Sequence, residues 1–478
     1  MLGGAFLTVL YVGFYLSEPL TPGNNLNPCC AAGWIGWADQ GAYYRSAFAL
    51  AAGDLDPSRH WYPLGYAILA APFSFLRSNI FFVVDLLGLL GTYAGFVLFA
   101  RRIGVSATTA VVLFGLCVCA DRFLFRQWTI PWSTTPSAGL IWGLLAAAAA
   151  YLQGQRRPFL LGLLAGALPL FRPADGMLGA ICLLWVGADA ALRRQLSCRD
   201  AGMAMLGALV LILPYAVLHL LIYGPHATAY MVNSGAVGFT LHNPIWRAYV
   251  LLVEPRQWFF AGQGVIERIP WLLLGFAGAV YALRGRGLGA LLSACLIAYC
   301  LMFLAYVDLL PTGMWHYFNV HYFKWTLPGF GLLGWLLLRD LYARRRLAWG
   351  ALALVFLLSC VRVTPRPVGP ADPAVAVDIP GAAATEKNST MKTGLGAIDA
   401  DGWLPSPSAM RAFPFPLSPG ARLIGLRRDL IGTVGWVPHH GIPMPADPPP
   451  QVRWGEQVAL GYPCWLPPHP CKKPTGER

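Results

Sequence analysis

The sequence predicts an all-α polytopic membrane protein with about eleven transmembrane helices and a small C-terminal domain outside the bilayer, β or irregular in structure. Three observations predict it. Of 478 residues, 56% are hydrophobic and only 12% charged, whereas a soluble globular chain carries roughly 25% charged residues. Mean hydropathy is +0.54. The apolar residues are also gathered into long runs, separated by short loops rich in arginine. So few charges cannot cover a water-soluble surface, and lipid has to replace water around most of the chain.

The runs fall at 2–17, 80–100, 104–120, 137–152, 158–171, 176–191, 202–222, 269–283, 288–307, 325–338 and 347–361. Several are shorter than the usual span of ~20 residues and have to extend into flanking aromatic residues. The first run lacks a basic leader, and Ser17-Glu18-Pro19 is a poor cleavage site, so a retained first helix is expected.

Charge sets the orientation. The loops holding Arg101-Arg102, Arg156-Arg157, Arg193-Arg194 with Arg199, Arg284 with Arg286, and Arg339 with Arg344-Arg345-Arg346 are short and densely basic. The alternate loops are longer and much sparser in charge. By the positive-inside rule the dense set is cytoplasmic, as is the N-terminus, and the chain from 362 onward is exterior. The location expected is a bacterial inner membrane, with the C-terminal domain periplasmic or extracellular. The net charge of +13 therefore reads as topology, and nucleic acid is excluded as a partner.

The longer exterior loops, 18–79, 223–268 and 308–324, with a short one at 121–136, are where function concentrates in such a chain. In 18–79 two helices against the membrane are expected. One is an amphipathic helix over Tyr43–Ala52, with Tyr43, Ala47, Leu50 and Ala51 on one face and Gly53 as its stop. The other covers 64–76, after Pro63. The transmembrane module occupies 1–361, a Pro/Ala-rich linker 362–394 and a small exterior domain 395–478. The eleven cysteines show no ligand spacing, so no metal site is expected, although a divalent ion stays open. Those in apolar runs read as small core residues. Cys464 and Cys471 are expected to bridge if the tail meets an oxidising compartment.

The polar residues of the exterior loops form a pattern. The first loop reads Trp37-Ala38-Asp39-Gln40-Gly41-Ala42-Tyr43-Tyr44 and continues to Arg59-His60-Trp61-Tyr62-Pro63-Leu64-Gly65-Tyr66. By its spacing Asp39 fits a helix N-cap first, and compatibly a base at the mouth of a membrane bundle. Its surroundings, Tyr43, Tyr44, Trp61, Tyr62 and Asp121, make a candidate substrate pocket. A late segment, Met314 to Pro328, carries His316, His321 and Lys324 among aromatic residues, either as an interfacial belt or as a site. Arg172 and Asp175 are expected to pair with each other, and Asp121 with Arg122 or Arg126. Asp85, within an apolar run near the exterior face, reads either as a functional intramembrane acid or as a water-accessible pair or a cap.

The order of these motifs resembles the C-type glycosyltransferases, which take a sugar from a polyprenyl phosphate; protein mannosyltransferases and lipid A aminoarabinose transferases are examples. A first helix is followed by W-x-D-Q-x-x-Y-Y, an amphipathic helix and a Y-P-L-G-Y-x-x-L-x-A-P-F run, and later by Leu170-Phe171-Arg172-Pro173-Ala174-Asp175-Gly176. The resemblance covers the first ~175 residues best. It implies that Asp39 is the catalytic base, that His321 and Lys324, with His316, Arg59 and His60, hold the donor phosphate, and that the acceptor is a lipid, glycan or protein. Trp61-Tyr62-Pro63 stands where the family often has Lys before two prolines. Trp132-Ser133-Thr134-Thr135-Pro136 has no acid where the family carries a second carboxylate. Two other functions compete: a lipid or glycan transporter or flippase, disfavoured by the absence of repeats, and a non-catalytic assembly subunit with a degenerate transferase fold.

Overall fold

In the computed structural model the described residues are 2–18, 33–36, 38–195, 197–228, 230–232, 264–306 and 314–344, a few positions between 234 and 253, 350, 352, and three short strands between 375 and 427. The chain falls into two compact units. The first comprises Met1–Val232, Trp271–Tyr299 and Val320–Gly350, and the second the rest.

Ten of the eleven apolar runs are helices among the described residues. They are α1 (Leu2–Ser17), α4 (Phe82–Arg102), α5 (Ala107–Phe114, continued by a π-turn over Gly115–Cys119), α7 (Thr134–Leu152), α8 (Pro158–Phe171), α9 (Gly176–Leu192), α10 (Cys198–Tyr223), α12 (Leu272–Ala282), α13 (Leu288–Ala305) and α14 (Thr326–Arg344). Short helices α2 (Ala38–Ala51), α3 (Gly65–Ala70), α6 (Arg122–Arg126) and α11 (Val265–Arg268) lie between them. The eleventh run, 347–361, lies almost entirely outside the described residues, as do Cys464 and Cys471. Among the described residues five helices are long and apolar enough to cross a membrane. One of them, α10, buries little of itself and exposes Met205, Leu213, Val217 and Leu221. Such a stripe is stable facing lipid and costly facing water. The chain is an all-α membrane protein over this region. In the second unit, strands Val375–Asp378 and Trp403–Leu404 both pair antiparallel with the strand Arg422–Arg427.

Small residues bring the helices of the first unit together. A Cβ at Gly162 would meet the Ala204 backbone, one at Gly166 would meet Ala208, and one at Gly207 would meet the Phe159 backbone, so α8 and α10 touch main chain to main chain. Gly88 and Gly95 of α4 meet Thr135 and Trp142 of α7 in the same way, and Gly275 and Gly278 of α12 meet Phe330 and Leu333 of α14. Close approach of this kind supplies the packing that replaces a hydrophobic drive between helices in lipid.

The helices alternate, so the loops gather at two ends. At one end Arg102 donates to Gln153 Oε1 (2.9 Å) and Gln155 Oε1 (2.7 Å), Arg156 reaches Gln195 and Asp200, and Arg339 reaches Gly104 O. The arginine-dense loops are therefore one structural layer. The start of α2, the 127–135 loop, the α8–α9 turn and the segment before α14 form the other end.

The elements of the 18–79 loop differ from the sequence expectation in two ways. Helix α2 starts at Ala38, five residues before Tyr43, and is buried on more than one face: Gln40, Ala42, Tyr43, Tyr44, Ser46, Ala47 and Ala49 are all inside, and Arg45, Phe48 and Ala51 form the outward stripe. It lies within protein instead of floating on lipid, because α3 and the 127–135 loop cover it. The second expected helix ends at Ala70. A 3-10 stretch over Ala71–Asn79 follows, broken at Phe73 and at Arg77, whose φ is +54°. Pro72 lacks the N–H that an α-helical continuation needs at that point.

Candidate active site at the helix ends

Asp39 lies in the first turn of α2, where the helix dipole favours an anion. The helix begins one residue earlier, so Asp39 is inside the turn and is not its cap. Its carboxylate is half-buried, and Oδ1 accepts the Tyr62 hydroxyl at 2.7 Å. The Tyr62 ring lies 4.6 Å from the Tyr43 ring and 5.2 Å from that of Tyr230. Tyr43 shares a hydrogen bond with Ser133 Oγ at 3.3 Å. Burial, and then the Asp39 charge, push the Tyr43 and Tyr62 phenols well above their ordinary range, so both are neutral donors at any working pH. Gln40, the next residue, donates to Pro131 O and ties α2 to the 127–135 loop.

The loop that brings Tyr62 to Asp39 is itself anchored. Asp56 caps the turn Pro57–Arg59, Tyr223 at the end of α10 donates to His60 O (2.8 Å), and Tyr215 accepts Leu64 N–H (3.2 Å). A Cβ at Gly65 would strike Leu170 O, so only glycine lets this loop sit on α8.

The row Ser133-Thr134-Thr135, at the start of α7, has hydroxyls where the resemblance would put an acid. Each serves a different element. Ser133 meets Tyr43, Thr134 Oγ1 meets His321 Nδ1 at 3.0 Å, and Thr135 accepts from Lys324 Nζ. A carboxylate reaches this helix from elsewhere: Asp175 Oδ2 accepts Ser137 Oγ–H at 2.5 Å. Asp175 is fully buried and pairs with Arg172 at 3.5 Å, the pairing expected from the sequence. Arg172 is 12% exposed, donates to Tyr299 OH (3.0 Å) and stands over the Tyr322 ring at 4.9 Å. It also lies within electrostatic reach of Tyr43 and Tyr230. The R-P-A-D turn thus places a guanidinium beside the Asp39 cluster. The motif signalled this residue, but its short-range partner Asp175 made it read as merely structural.

The remaining sequence candidates are dispersed. Lys324 is 2% exposed; it donates to Gln127 O (3.0 Å) and lies 5.0 Å from the Trp128 ring. His321 is buried and stacks flat on Trp132 at 3.8 Å. Burial lowers the affinity of both for a proton, with Asp85 offsetting part of the effect on Lys324. His60 is enclosed between Ser46 Oγ (2.8 Å) and Asp54 O (3.0 Å), and Arg59 is exposed beside Asp54. Tyr44 turns away from Asp39 and donates to Ser78 O. Asp121 caps α6 through the Phe123 and Leu124 amides, while Arg126 closes on Glu18 at 2.5 Å. Asp85 is buried, with both oxygens on the Tyr66 hydroxyl at 2.9 Å, and is not the water-accessible group expected. Trp61 is half-buried, and the side chain of His316 lies outside the described residues. Among the described residues no three His, Cys, Asp or Glu side chains cluster as metal ligands would. No family model, curated protein or solved structure matches the chain.

Proposed function

We propose that the protein is an integral membrane glycosyltransferase that moves a sugar from a polyprenyl-phosphate donor to a lipid, glycan or protein acceptor, with Asp39 as general base. The observation that carries this reading is the Asp39 carboxylate. It is half-exposed at the end of the bundle away from the arginine loops, oriented by Tyr62, and faced by neutral phenols with Arg172 close by. A positioned carboxylate suits proton removal from an alcohol as that alcohol attacks carbon. In the reaction, Asp39 takes the proton of the acceptor hydroxyl and the oxygen bonds to the anomeric carbon. The bond from that carbon to the phosphate oxygen breaks, and the lipid phosphate leaves with the electron pair. Arg172 is the cation best sited to meet the charge that develops on the phosphate. Eleven spans, a cytoplasmic N-terminus, an exterior C-terminal domain and a bacterial inner membrane belong to the same proposal.

The test is Asp39→Asn with a synthetic polyprenyl-phosphate sugar. Asn keeps size and polarity but loses the basic oxygen. Donor binding and thermal stability should stay near parental, while transfer falls at least ~10²-fold. Near-parental transfer by this variant would remove Asp39 from the mechanism.

A second reading, a non-catalytic assembly subunit, draws on the burial of Lys324 and His321 and on the hydroxyl row that replaces an acid at the start of α7. It predicts no sugar release by the parent protein from any such donor.

A further inference from the structure

At the arginine-loop end of the first unit, a cleft of about 560 Å³ opens between the ends of α4 and α7, the α12–α13 loop and α14. It has no part in the Asp39 site. Three arginines and one aspartate line it: Arg102, Arg339, Arg344 and Asp340. Arg344 pairs with Asp340 at 3.3 Å, and Asp340 also accepts the Tyr281 hydroxyl. Arg102 and Arg339 are held differently. Among the described residues their hydrogen bonds go to neutral acceptors, the Gln153 and Gln155 side-chain amides and Gly104 O, which orient each guanidinium without neutralising it.

The floor of the cleft is apolar. Gly278 and Leu333 lie where α12 and α14 touch, and Leu336 lies one turn beyond. Gly285, Gly287 and Gly289 keep the rim low. Ile103, Ala282, Leu288 and Ala290 add further apolar lining. A pocket of this volume suits a small ligand. Fixed positive charge above an apolar floor, at the level where helices give way to loops, suits an anionic headgroup with acyl chains attached.

We infer that this cleft binds the phosphodiester headgroup of an anionic phospholipid, with Arg102 and Arg339 on the phosphate and the acyl chains along α12 and α14. A lipid headgroup and a free phosphate share this chemistry, and the apolar floor selects the lipid.

The test uses the full chain in phosphatidylcholine nanodiscs, with dioctanoyl phosphatidylglycerol titrated in and the thermal midpoint read. The parent midpoint should rise saturably. Arg339→Gln should need at least about ten-fold more lipid for the same rise, as expected for loss of a charge-assisted hydrogen bond. The double variant Arg102→Gln/Arg339→Gln should show no rise. Arg193→Gln lies at the same end but outside the cleft, and should behave as parent. Because Arg339 is exposed and, among the described residues, its side chain bonds only Gly104 O, its variant keeps the test decisive even if the double variant unfolds. Equal titrations for parent and Arg339→Gln would overturn the site. Inorganic phosphate matching phosphatidylglycerol at equal concentration would overturn the lipid as its occupant.

Discussion

Lys324 and His321 stand where a loop becomes a helix, in a sequence context that suits a phosphate site or an aromatic belt. In the fold both are buried and committed to the 127–135 loop and the start of α7, Lys324 through Gln127 and Thr135 and His321 through Thr134 and Trp132. That burial has a consequence in pH. The unfolded imidazole takes a proton near pH ~6.5. Burial, with Lys324 and Arg172 nearby, holds the folded value well below this, so the unfolded state binds more protons between the two values. The contribution of His321 is therefore complete above pH ~6.5 and is lost as pH falls toward the folded value. The thermal midpoint of the parent should drop below that pH. His321→Asn, which keeps an acceptor or donor for Thr134, should flatten the drop. Parallel pH curves for the two proteins would show that His321 does not titrate in that window. Asp39 presents the opposite case. Its residue type and place at a loop–helix boundary are legible in the sequence. Its link to Tyr62 is not, because the two residues, 23 positions apart, approach only once the loop is anchored on α8 and α10.

Hydropathy locates the helices well, since a run of apolar residues is helical wherever water is excluded and every backbone group needs an internal partner. It does not tell which face of a helix meets protein. Helix α2 has the spacing of an amphipathic surface helix and is buried on more than one face. Helix α10 is apolar over most of its length, and its small residues Ala204, Gly207 and Ala208 meet the α8 backbone. The contact predicts a sharp asymmetry between two glycines of α10. Gly207→Leu forces a side chain into the Phe159 backbone and should destabilise the protein by about 1–3 kcal/mol, the usual cost of overpacking. Gly202→Leu has open space and should change the thermal midpoint little. Equal effects from the two would mean that α8 and α10 do not pack through these residues. The same lever reaches the candidate site, because Arg172 follows directly on the end of α8 and α10 carries Tyr215 and Tyr223, which hold the Tyr62 loop.

At the scale of the molecule, alternating helices give the first unit two chemically distinct ends, one ringed by arginine and one bearing Asp39, the phenols and the hydroxyl row. If the arginine end is cytoplasmic, a cysteine at 345 should react only with reagents that cross the membrane, and one at 410 should react from outside. Labelling from the same side at both would remove an odd number of spans between them and move the Asp39 site to the wrong face. An exterior tail also predicts that unreduced mass spectrometry finds Cys464 linked to Cys471. By itself the sequence determined the class of protein, the positions of its apolar helices and the segregation of its charge. These follow from composition and local order, and the bilayer imposes them on any chain of this kind. Only the tertiary structure decided which polar side chains share the mouth of the bundle. It turned Lys324, His321 and His60 inward, set Tyr62 on Asp39, and brought Arg172 and Asp175 beside the start of α7. Those pairings join residues far apart in the chain. They depend on how closely glycine contacts let helices approach, and no local pattern of residues encodes that distance.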